Sequence, residues 1–122
     1  MGMYTEIYVN VDLKEDTPGR ITDDIQSICN GWTPQGFPEY SDRLFKCGSY
    51  YTPHTSVASL TYSEINSFWS FLGKGDLKNY HGEVEYFFNW IMPWVDADPG
   101  VFIGYHRYET VNKPTLVYKL EP

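Results

Sequence analysis

Three histidines, two cysteines and a Gly-Lys-Gly turn are the residues of this sequence best equipped for chemistry, and their spacing decides whether they can perform it. His54, His81 and His106 stand apart, with no His-Glu-x-x-His and no Cys-x-x-Cys to gather them around a metal. No metal site and no cofactor is therefore expected. Cys47 precedes Gly48, and His54 follows nearby. Cysteine–histidine catalysis needs the two groups in hydrogen-bond reach and a thiol of lowered pKa, which proximity along the chain does not supply. No serine occupies a Gly-x-Ser-x-Gly turn. Gly73-Lys74-Gly75 lacks the spacing and the following Ser or Thr of a phosphate-binding loop, and reads as a turn after a strand. Asp96 and Asp98 read as turn formers. The expectation is a protein without catalytic residues, not an enzyme.

Aromatic side chains are the stronger signal. Of 122 residues, 11 are Tyr, 7 Phe and 4 Trp. Tyr joins a large apolar ring to a hydroxyl that needs a partner, so it serves both sheet faces and contact surfaces. Trp32, Phe37 and Tyr40 sit in a loop-like stretch rich in Gly and Pro, while Tyr50, Tyr51, Tyr105 and Tyr108 fall on predicted strands. The bland alternative is that most of these rings simply cover the sheet. The candidate binding residues are Trp32, Phe37, Tyr40, Tyr50, Tyr51, His54 and Tyr105.

The chain carries 16 acidic and 9 basic side chains, a formal charge of −7. Such a surface disfavours nucleic-acid polymers and anionic membranes and suits a partner with a basic surface, besides keeping the protein soluble. A length of 122 residues fits one domain, residues 1–122. Cys29 falls on the apolar side of a predicted helix and reads as a buried free thiol, although nothing excludes a disulfide with Cys47. No apolar run approaches the roughly 20 residues needed to cross a bilayer, and the first residues lack the pattern of a signal peptide. Glu6 stands where a myristoylation signal wants Ser or Thr. A cytoplasmic location is expected.

The elements that would position these groups follow from periodicity. Over residues 4–13, Thr5, Ile7, Val9, Val11 and Leu13 alternate with polar residues and Tyr, which predicts a strand with one buried face. Thr17-Pro18 predicts a helix start with Thr17 as cap, Ile21, Ile25, Ile28 and Cys29 form its apolar face, and Asn30-Gly31 stops it. Residues 31–44 read as a loop. Strands are expected over 44–51 and 56–62. Residues 64–72 fit either period and are assigned to a strand that ends at Gly73-Lys74-Gly75-Asp76. Asn79 predicts the cap of a second helix running to Trp94, with Val84, Phe87, Phe88, Ile91 and Val95 on one face. A hairpin of strands 101–109 and 115–121 closes the chain. The order β-α-β-β-β-α-β-β implies an α+β fold, a largely antiparallel sheet with both helices on one face. Tyr8, other rings and polar residues would occupy the opposite face.

Taken together, Tyr4-Thr5-Glu6-Ile7-Tyr8-Val9, Leu13-Lys14-Glu15-Asp16-Thr17-Pro18, Gly75-Asp76-Leu77-Lys78-Asn79-Tyr80 and Ile103-Gly104-Tyr105 with Pro114-Thr115-Leu116-Val117-Tyr118 resemble small uncharacterised proteins of bacteriophages and prophages. The resemblance brings no catalytic residues. It implies a protein acting by binding in the host cytoplasm, such as an inhibitor of a host defence protein. The expected contact surface is the outward sheet face together with the 31–44 loop. The alternative readings are a small-ligand or nucleotide binder that stacks its ligand beside His54 or His106, and a structural or assembly component of a virion. Homo-oligomerisation is left open.

Overall fold

Alternation in the first strand organises the whole molecule. In the computed structural model, which describes residues 4–46 and 56–121, β1 spans Thr5–Asp12 and buries every second side chain. Ile7, Val9 and Val11 enter the core, while Tyr8, Asn10 and Asp12 face the other way. The remaining strands are β2 (Val57–Ser63), β3 (Phe68–Leu77), β4 (Phe102–Tyr108) and β5 (Thr115–Tyr118). They form one antiparallel sheet in the order β2-β3-β1-β4-β5, so the most regular strand is the central one. Helices α1 (Gly19–Cys29) and α2 (Glu83–Ile91) send Ile21, Ile25, Ile28, Val84, Phe87, Phe88 and Ile91 into the same core as Ile7, Val9 and Val11. Both helices therefore cover one flank of the sheet. This is the α+β arrangement implied by the sequence. Each fully buried Ile or Phe contributes about 1.5–3 kcal/mol relative to an exposed position.

Several boundaries differ from expectation for identifiable reasons. Pro18 takes the cap position of α1 in an extended conformation, because the Thr17 hydroxyl turns back to donate to the Lys14 carbonyl at 2.6 Å. The helix end is as expected: Gly31 adopts φ +88°, and the amides of Gly31 and Trp32 return to the carbonyls of Ile28 and Ser27.

Of the three strands expected between the helices, β2 and β3 are present. The remaining one was to begin at Leu44, but residues 44–46 form a turn after a 3-10 segment at Ser41–Arg43. The rest of that stretch lies outside the described residues. Residues 64–67, assigned to a strand, are the turn between β2 and β3, with Ser67 at φ 58°.

β3 then runs through Gly73-Lys74-Gly75-Asp76 instead of stopping there. The glycines are needed for room, not for a turn. A Cβ on Gly73 would stand 2.6 Å from the Phe45 ring, and one on Gly75 would stand 2.6 Å from the Lys46 backbone nitrogen. The chain thus lays Phe45 and Lys46 directly against the strand, and the Asp76 amide donates to the Lys46 carbonyl at 2.8 Å.

α2 starts later than expected. Asn79 lies outside it, yet its side-chain oxygen still accepts the Val84 amide at 2.9 Å. Met92–Trp94, with Pro93 inside, tightens into a 3-10 turn. Among the described residues no helix is long and apolar enough to cross a membrane.

Candidate functional site

The flank of the sheet opposite both helices, uncovered among the described residues, carries a run of aromatic rings. Tyr8 of β1 stacks on Tyr105 of β4, with centroids 5.5 Å apart and planes 25° from parallel. It also stacks on Phe102 at 6.5 Å, and Phe102 meets Tyr118 of β5 edge-on at 6.2 Å. Phe102 and Tyr118 are 45% and 44% exposed, with Leu116 beside them at a similar exposure. A register shift between Phe102 and Gly104 makes this possible. It lets Ile103 turn into the core while Phe102 stays outside, and Gly104 leaves the space that Tyr8's carbonyl occupies.

Glu6 fixes the edge of this cluster. Its Oε2 accepts the Tyr105 hydroxyl at 3.0 Å, and its Oε1 accepts Arg107 Nε at 3.2 Å. Burial, reinforced by the hydrogen bond to Glu6 and by the charge of that carboxylate, pushes the Tyr105 phenol up to about 12. Tyr105 is therefore a neutral hydrogen-bond donor, not an acid available for catalysis. Across the rest of this flank Asn10, Asp12, Ser59, Thr61 and Ser70 supply polar groups, with the Ser70 hydroxyl donating to Asp12 at 2.6 Å.

The expected site residues separate into distinct places. Trp32, just past the end of α1, is 70% exposed. Phe37 lies on the helix side, wedged edge-on between Tyr86 and Trp90 of α2 at 4.8 and 4.9 Å. Tyr40 sits at φ 71° beneath the Arg43 guanidinium, whose Cζ is 4.6 Å from the ring centroid. Tyr105 is on the opposite, uncovered flank. The 31–44 loop and the outward sheet face therefore do not merge into one surface, because Phe37 anchors the loop to α2. Tyr50, Tyr51 and His54 lie outside the described residues. His106 points to the helix side and packs on Phe88 at 6.1 Å.

A second candidate lies where the start of β1, the end of β3, the Tyr40–Lys46 segment and the approach to α2 converge. They enclose a cavity of about 510 Å³, lined by the rings of Tyr4, Tyr40 and Tyr80, by Arg43 and Lys78, and by Asp76 and Glu83. Glu83 is held there by the His81 amide, which donates to its Oε1 at 2.7 Å. Burial pushes the Glu83 carboxyl above its ordinary range, against the lowering effect of that bond. Sequence patterning singled out only Tyr40 of this group. The others come from four separate segments, and no local period links them.

The thiol of Cys29 is half-buried, and burial pushes it up, the reverse of what an attacking thiolate needs. Among the described residues no three His, Cys, Asp or Glu side chains gather as a metal-binding group. In comparison with known proteins, no family model, no curated protein and no solved structure matches the chain.

Proposed function

We propose that this chain is a non-enzymatic binding protein that docks a protein with a basic surface through the uncovered sheet flank. In keeping with its resemblance to small phage and prophage proteins, it acts as an inhibitor of a host protein in the host cytoplasm. The observation that carries this reading is the contiguous run Tyr8, Tyr105, Phe102 and Tyr118, with Tyr8 and Tyr105 half-buried and Phe102 and Tyr118 exposed, on the flank of the sheet opposite both helices. Antiparallel sheets tolerate one wet flank, but that flank is normally polar. Rings presented this way supply rigid contact area at low entropic cost. The formal charge of −7 selects for a partner of opposite sign and speeds the encounter.

Capture from a bacterial lysate at several salt concentrations tests this, comparing the native chain with Phe102→Ser and Tyr118→Ser. A specific protein retained by the native chain and held about 30-fold more weakly by either variant supports the reading, the loss expected of a contact hot spot. Retention of no protein, or retention indifferent to both substitutions, refutes it. Concentration-dependent self-association lost in the same variants refutes it in favour of an assembly role.

A further inference from the structure

The two edges of the sheet are unequally guarded. β5 is only 4 residues long and is entered through Lys113-Pro114, and shortness, Lys and Pro are common protections against strand pairing between molecules. β2, at the other edge, runs for 7 residues and contains neither a charge nor a proline.

β3 decides which backbone groups of β2 face outward. The Trp69 carbonyl turns toward β1 and accepts the Leu13 amide at 2.8 Å, while the Asp76 amide turns the other way, to Lys46. Backbone groups alternate sides along a strand, so Phe68, Ser70, Leu72 and Lys74 bond to β2 through their register partners Ser63, Thr61, Ser59 and Val57. The N–H and C=O groups of Ala58, Leu60 and Tyr62 therefore point away from the sheet, and among the described residues nothing pairs with them.

This edge is complementary to itself. When two copies are set antiparallel about Leu60, Ala58 faces Tyr62 of the second copy, Leu60 faces its own counterpart, and Tyr62 faces Ala58. All of these are pairs that exchange both hydrogen bonds. The side chains agree with that register. On the helix side Tyr62 is 45% exposed and backed by Trp69 at 5.1 Å, and it meets a methyl group instead of a second ring. Leu60, half-buried against the core, gains an apolar neighbour. On the other flank Ser59 and Thr61, both exposed, meet each other. A chain of charge −7 repels its own copy, and this strand brings no charge against another.

We propose that β2 is a dimerisation edge, joining two copies about a two-fold axis at Leu60 into one continuous sheet. The axis stands normal to the sheet, so both aromatic runs face the same side, far from the junction and open to a partner.

Sedimentation velocity and amide hydrogen exchange on the whole chain test this. The native chain is expected to dimerise with a Kd below about 100 μM. Ser59→Lys combined with Thr61→Lys, at exposed positions, should weaken the dimer at least about tenfold with circular dichroism unchanged, because like charges then lie directly opposite. An equimolar mixture with the chain carrying Ser59→Glu and Thr61→Glu should restore it. Phe102→Ser should leave it intact. The amides of Ala58, Leu60 and Tyr62 should exchange more slowly as protein concentration rises, and those of Ser59 and Thr61 should not change. A monomer up to about 1 mM, a dimer indifferent to the paired lysines, a dimer lost in Phe102→Ser, or exchange at the three outward amides independent of concentration would each overturn the proposal. So would a monomer whose same amides are slowed by a lysate protein, which would give the edge to a partner's strand.

Discussion

Tyr105 on β4 donates its hydroxyl to Glu6 on β1 at 3.0 Å, two residues along β1 from Tyr8, the ring on which Tyr105 stacks. A single carboxylate thus sets the orientation of the aromatic run on the uncovered flank. Arg107 holds the other oxygen of the same carboxylate, so Glu6 cannot swing away without losing two partners.

Burial of the Tyr105 phenol, reinforced by that bond, should be visible as alkaline instability. The folded phenol ionises near 12 against an ordinary value of 10.0, so the folded state keeps its proton where the unfolded chain has lost it. Stability is then fully present below pH 10 and is lost as pH rises toward 12. Spectrophotometric titration should show one tyrosine ionising after the exposed ones. Tyr105→Phe should remove that late step and flatten the dependence of unfolding on pH in the same window.

Glycines in β3 should resist substitution where the backbone of the chain presses on them. Gly75→Ala puts a Cβ 2.6 Å from main-chain atoms of Lys46, which no rotamer change relieves. We expect a loss of about 1–3 kcal/mol in urea unfolding, the usual cost of forcing atoms into packed space. Gly19→Ala, at the first position of α1 with nothing within 4 Å, should instead gain about 0.4–1 kcal/mol.

These glycines also mark the limit of what the sequence conveys. Period-two alternation identified β1, and period 3.6 identified the apolar faces of both helices, because each pattern is local and repeats. Gly73 and Gly75 look like punctuation in the sequence because their other use, admitting Phe45 and Lys46, depends on a segment distant along the chain. The same holds for the bulge that keeps Phe102 outside and for the cavity, whose Tyr4, Tyr40, Lys78 and Glu83 share no register. The outward position of Tyr8 is legible in the sequence because strand parity alone decides it. Nothing local in the sequence reveals that Phe37 lies on the helix side, because its seat between Tyr86 and Trp90 is a tertiary contact.

The aromatic content should divide cleanly by mutation. Phe71 and Phe87 touch each other and Phe45 at the centre of the core. Phe71→Ala should cost about 3–5 kcal/mol in denaturant unfolding. Trp32→Ala, at a position 70% exposed, should stay within about 0.5 kcal/mol of the native chain.

Glu83 supplies the opposite pH signature to a stabilising carboxylate. Burial is the largest influence on it and raises its folded pKa above the ordinary 4.5, with the His81 amide and the nearby imidazole only partly offsetting the rise. In the interval between the two values the folded chain binds more protons than the unfolded one, so stability falls as pH increases through it. Above the raised folded value the full cost of a buried charge is present, and below pH 4.5 it is absent. Glu83→Gln keeps an oxygen for the His81 amide and removes the charge. Its thermal midpoint should therefore exceed that of the native chain at pH 7, and the gap should close as the solution is acidified below pH 4.5. A gap that persists unchanged at low pH would mean that the substitution acts through packing instead of through the charge. The midpoint of both chains, measured by circular dichroism across that range, decides between the two.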